Sequence, residues 1–153
     1  MRKISICNRS RIVKADRAAL KRFIGKLDGE LPESLRAPHG ELSLAILDDD
    51  EISKIHADFM DNPNPTDVIT FEGDKDGEFA GEICASAETA LRQSVDFKTS
   101  PSWELTLYFA HGYLHLAGID DISPEDAIKM RAAESSAMQI LSRNFSKPIF
   151  TFK

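Results

Sequence analysis

Two cysteines in 153 residues are too few for a disulfide framework, and Cys7 and Cys84 form no CxxC pair. Both fall in strand-like runs and are expected to be small buried side chains. No apolar run approaches the roughly 20 residues of a membrane span. The N-terminal MRKISICNRSRIVK also lacks the roughly 7 to 15 consecutive apolar residues of a secretory signal. These absences point to a cytoplasmic protein with no membrane partner, and no nucleotide cofactor is expected. Internal repeats and low-complexity tracts are missing too, so residues 1–153 are expected to form one domain. What is present is ordinary for a globular chain, 42% hydrophobic and 29% charged.

Charge is unevenly spread. Residues 1–28 carry nine Lys or Arg against two Asp, a balance of +7, and the remainder carries ten basic against 23 acidic residues, or −13. Such asymmetry can mark a face for a polyanion such as RNA. The same pattern also describes the solvated side of an amphipathic helix bearing Arg17, Lys21, Arg22 and Lys26.

Residues 3–8 alternate like a strand, and Asp16 opens a helix with Leu20, Phe23, Ile24 and Leu27 on one face. Residues 41–47 (ELSLAIL) read as a strand. The run DDDE starts another helix, where Asp side chains are expected to cap free N–H groups. Ile52, Ile55 and Phe59 should form its buried stripe, and NPNP should stop it. TDVITF (66–71) and AGEICAS (80–86) suggest a hairpin with a polar connection. A helix is expected over 85–95, and a very apolar one over 100–118, ended by Gly118. Ser123, Pro124 and Asp126 signal the last helix, which Ile128, Met130, Met138 and Leu141 carry to about residue 143. The tail NFSKPIFTFK either adds a strand or packs loosely. The expected class is α+β, a small mixed sheet of about four strands covered by about five helices.

The densest chemistry lies in HGYLHLAGIDD, residues 111–121. His111 and His115 are one helical turn apart and share a face, which suits two imidazoles on one ion. Gly118 then breaks the helix, so that Asp120 or Asp121 can return towards the same point and supply a carboxylate. Position 112 is glycine, so the HExxH glutamate of a zinc peptidase is absent. That argues against peptide hydrolysis and leaves the general base unassigned. Asp120 is an alternative ligand or an orienting partner for a histidine.

HGYLHLAGIDD resembles the HGxLHLxGxDH signature of the YbeY family of ribosomal-RNA maturation endoribonucleases, in which three histidines hold zinc. PTDVITF at 65–71 resembles the family's PTDVLSF, and GEICAS at 81–86 resembles GDIxIS. LSLAILDDDEISKIHADF resembles the strand and helix that precede PTDV. The likeness runs in order over about residues 41–141. It implies a divalent metal ion, zinc first and manganese as a contender, held by His111, His115 and, by position, Asp121. It further implies ribosomal RNA and small-subunit components as partners. Two positions depart from the pattern: Asp121 replaces the third histidine, and Met60 stands where the family usually has an arginine that handles RNA. His56 occupies a slot usually held by asparagine. The resemblance therefore implies a metal-dependent endoribonuclease. The alternatives are a weakly catalytic or non-catalytic assembly factor with the same fold, or a metal-dependent hydrolase of another substrate. Neither the motifs nor the resemblance assigns a catalytic or substrate-binding residue.

Overall fold

The computed structural model describes residues 2–60, 66–74 and 76–153. Its elements are β1 (Ile4–Asn8), β2 (Val13–Ala15), α1 (Arg17–Glu30), β3 (Glu41–Leu47), α2 (Asp49–Met60), β4 (Val68–Glu72), β5 (Phe79–Ser86), α3 (Ala87–Phe97), α4 (Pro101–Leu116), α5 (Pro124–Asn144) and β6 (Phe150–Phe152). The main sheet has order β1-β3-β5-β4; β1, β3 and β5 are parallel and β4 is antiparallel to β5. This is the expected α+β class with a four-stranded mixed sheet and five helices. The tail does add a strand, β6, but it pairs with β2 in a separate two-stranded sheet, and sequence reading did not find β2.

Alternation in β3 buries Leu42, Leu44 and Ile46 on the face covered by α1, α4 and α5, where the main core sits. Leu20, Phe23, Ile24 and Leu27 of α1 are fully buried there, as their spacing requires, and Asp16 caps the helix by accepting the Ala19 N–H at 3.0 Å. The opposite face holds a smaller cluster of Leu47, Ile52, Ile69 and Cys84 beneath α2.

Several expectations need correction. Of the supposed α2 stripe only Ile52 is fully buried; Ile55 is half-buried and Phe59 is 70% exposed. The last turns of α2 extend past the small cluster, and the Phe59 ring merely meets Phe71 edge-on, centroids 5.4 Å apart. The proline stop at residues 62–65 lies outside the described residues. Ile128 is 69% exposed, whereas Met130, Met138 and Leu141 are buried. Helix α3 starts at Ala87, not Ala85, because β5 runs on to Ser86, which caps α3 through the Thr89 N–H. Cys7 is exposed, since β1 is an edge strand, while Cys84 is buried. Burial, then the nearby Glu82 carboxylate, pushes the Cys84 thiol up to about 12, so it is unreactive near neutral pH.

The acidic run opens α2, but among the described residues its carboxylates reach neighbouring elements and do not cap their own helix. Buried Asp48 accepts from the Ser10 hydroxyl at 2.6 Å and the Arg11 N–H at 2.9 Å. Asp49 accepts from Ser86 and Thr89 at the start of α3, at 2.8 and 2.9 Å, and from Arg92. Glu88 of α3 in turn accepts the Asp49 N–H at 2.8 Å, so the two helix starts serve each other. Burial alone would raise the Asp49 carboxyl, but the hydrogen bonds from Arg92, Ser86 and Thr89 outweigh it and hold the group below the usual aspartate range. A depressed folded-state pKa contributes stability above the unfolded value, and that stability disappears as pH falls through the folded value. Asp49→Asn should therefore lower stability by about 1 kcal/mol near pH 6, and the gap from the parent should narrow as pH falls below the ordinary aspartate range. Urea unfolding across that pH range checks it.

Candidate metal centre

Helix α4 crosses close over the sheet because position 112 carries no side chain. A Cβ there would lie 2.5 Å from Ile83 Cγ2 and 3.0 Å from Thr70 Cγ2. Glycine thus brings the helix onto β4 and β5 between the two histidines. The far side of α4 is anchored by Tyr113, whose hydroxyl donates to Asp28, itself gripped by Arg2 at 2.9 and 3.0 Å.

The helix ends as the glycine foretold. Gly118 has φ +97°; its N–H bonds to His115 O and the Ile119 N–H to Leu114 O, both at 3.0 Å. This paired closure reverses the chain and returns Asp121 to the histidines. His111 Nε2 lies 3.4 Å from Asp121 Oδ2, and His115 Nε2 lies 3.6 Å from Asp121 Oδ1. One donor atom from each of the three residues falls within 4.8 Å of the others. Donors around a tetrahedral zinc at about 2.0–2.1 Å stand about 3.3 Å apart, so the spacing fits one ion with small adjustment. Sequence reading had anticipated these three residues, and the fold brings them together. Asp120 does not join them: its carboxylate accepts the Asp121 N–H at 2.8 Å and shapes the turn.

The partner that orients a histidine is Glu134 of α5, which sequence reading missed. His111 Nδ1 donates to Glu134 Oε2 at 2.5 Å, leaving the Nε2 lone pair free to face the other donors. The available signal was an acid in the buried stripe of α5, between Met130 and Met138. Burial would lower the His111 pKa, but Glu134, then Asp121 and Asp67, raise it, so the local field favours positive charge. A cation meets that demand without a proton.

Two clefts flank the group. One, about 420 Å³, lies between α3, α4 and α5; the other, about 370 Å³, runs from Met60 past Thr70 to Ile122. Both include His111, Asp121 and Asp67. Met60 thus lines the site without a guanidinium, and no residue of the basic N-terminal segment lines either cleft. Much of that segment is paired: Arg2 with Asp28, Arg9 with Glu51, Lys26 with Glu30. His56 is half-buried one turn before Met60. A larger hollow of about 750 Å³ near Arg2 and His39 contains none of the three donors, and of its two arginines Arg2 is committed to Asp28 while Arg36 donates to the Leu31 carbonyl.

Comparison with known proteins finds relatives over most of the chain. The family model described as endoribonuclease YbeY matches residues 5–142. A relative of that name from Protochlamydia amoebophila is 33% identical over 131 residues, spanning 81% of this chain and 87% of its own. Another, from Porphyromonas gingivalis, is 30% identical over 129 residues, spanning 84% and 85%. A solution structure from Thermotoga maritima superposes with a TM-score of 0.61 over 92% of this chain and 93% of that one; at 23% identity it shows the shared fold. Signature, architecture and sequence similarity over most of the chain agree that it belongs to the YbeY family of endoribonucleases.

Proposed function

We propose that residues 1–153 act as one domain, a cytoplasmic metal-dependent endoribonuclease that matures ribosomal RNA on or near the small ribosomal subunit. Among the described residues no helix is long and apolar enough to cross a membrane. The observation that carries the reading is the convergence of His111 Nε2, His115 Nε2 and an Asp121 oxygen in a cleft of a YbeY-family chain. Those residues would hold one divalent ion, zinc in the first instance. When bound, it would polarise a phosphoryl oxygen and lower the pKa of a water towards about 7. The protein's own groups do the rest. Glu134 holds His111 in the tautomer that presents Nε2. Asp67 lines both clefts, so a proton released there has a carboxylate acceptor at hand. Asp121 makes the site more negative than three imidazoles, which strengthens attraction for a cation and admits harder ions such as manganese.

The test is cleavage of a single-stranded ribosomal-RNA fragment by purified protein. Cleavage should be lost on chelation and return with added zinc. Tight RNA binding without cleavage by metal-loaded protein would replace this reading with that of an assembly factor, a role suited to the missing guanidinium at Met60.

A further inference from the structure

Tyr108 lies one turn before His111 on α4 and is 5% exposed, yet its hydroxyl has no hydrogen-bond partner among the described residues. Leaving a buried hydroxyl unpaired is unfavourable, so the fold holds a donor ready for something else. Burial raises the Tyr108 pKa well above its ordinary value, so the group remains an O–H donor. The Tyr108 side chain is among those that line the cleft between α3, α4 and α5, together with His111, and its hydroxyl lies just beneath that wall. Three further features of that cleft are unused by the metal chemistry. Gln93 is half-buried and brings an amide that both donates and accepts. Glu104 is 4% exposed and accepts from Thr99 at 2.7 Å, with acceptor capacity left over. Phe97, at the end of α3, is 64% exposed on the cleft wall.

Charge decides what part of an RNA can enter. Apart from the residues that would hold the ion, Asp67, Glu104 and Glu134 line this cleft against Arg131 as the basic residue, so away from the ion a phosphate would be repelled. An uncharged, flat group carrying both donors and acceptors would not. A nucleobase unstacked from single-stranded RNA has that chemistry: a π-face for Phe97 and an edge for the Tyr108 hydroxyl and Gln93 amide.

We propose that the cleft formed by Gln93, Phe97 and Tyr108 is a nucleobase subsite, which seats the base of one nucleotide flanking the phosphodiester presented to the His111–His115–Asp121 group. This rests on the endoribonuclease reading and adds to it a seat for the base beside the phosphodiester. The chain would cross the centre with one base held between α3 and α4.

Two measurements separate the subsite from the activity. In the first, the zinc-loaded full chain, labelled with nitrogen-15, is titrated with adenosine and with methyl riboside, the same sugar without a base. Adenosine should shift the Phe97 and Tyr108 amides saturably and the riboside should not; Tyr108→Phe and Phe97→Ala should each weaken adenosine by about tenfold. Tyr108→Phe removes only an unpaired hydroxyl and Phe97 is exposed, so both variants should fold. Equal shifts from the two probes, adenosine shifts elsewhere, or unchanged affinity in both variants would overturn the subsite. In the second, Phe97→Ala should raise KM for a single-stranded oligonucleotide about tenfold with kcat within about twofold. An equal loss in kcat would also overturn it. If the parent protein cleaves nothing, the endoribonuclease reading fails, while the adenosine titration still reports on the cleft.

Discussion

His115→Ala should weaken binding of a divalent ion on the order of a thousandfold and abolish RNA cleavage while leaving the fold intact. His115 is half-buried at the end of α4, and the only contacts its ring makes among those described are with His111 and Asp121. Removing it therefore deletes a donor without opening the core. Asp121→Ala should behave alike, because two imidazoles one turn apart leave a zinc ion short of a third protein ligand. Asp121→His should keep a stoichiometry of one ion and tighten selectivity for zinc over manganese, since imidazole replaces a harder oxygen donor. Glu134→Gln should have a smaller effect, about 10–100-fold in affinity, because it loosens the His111 ring without removing a donor. Elemental analysis and competition with a chromophoric chelator order these variants. An Asp121→Ala protein with parental metal affinity would remove the third ligand from the site.

Gly112→Ala should destabilise the protein by about 1–3 kcal/mol, a fall of about 2–10 °C in Tm for a domain of this size. In an isolated helix the same change is favourable by up to about 1 kcal/mol, so the sign itself is diagnostic. The new methyl would stand 2.5 Å from Ile83 Cγ2 on β5 and 3.0 Å from Thr70 Cγ2 on β4, and neither strand can retreat without breaking its pairing. Helix α4 would have to lift instead. His111 and His115 flank position 112 and would rise with it, while Asp121 is held by the turn beyond Gly118. Metal affinity should fall along with Tm. Thermal unfolding followed by metal titration of the folded variant reads both effects, and a variant as stable as the parent would refute the close packing.

Local chemistry was legible in the chain because it depends on near neighbours. Helical spacing puts His111 and His115 on one face, and a glycine at 118 ends a helix in the left-handed region wherever that helix packs. The alternation in ELSLAIL and the apolar spacing of residues 20–27 likewise specify which sides are buried. Phe59 and Ile128 obey the same spacing yet stand in solvent, because periodicity says which face is apolar but not how far a neighbour extends to cover it.

The amino-acid order alone determined that two imidazoles and an aspartate lie within eleven residues around a helix-ending glycine, which suffices to suggest a cation site. Only the tertiary structure decided which of Asp120 and Asp121 turns inwards, that Glu134 from another helix orients His111, and that Tyr108 and Phe97 share a cleft. Those pairings join residues far apart in the chain, and their distances follow from how α3, α4 and α5 pack on the sheet, which no local pattern encodes.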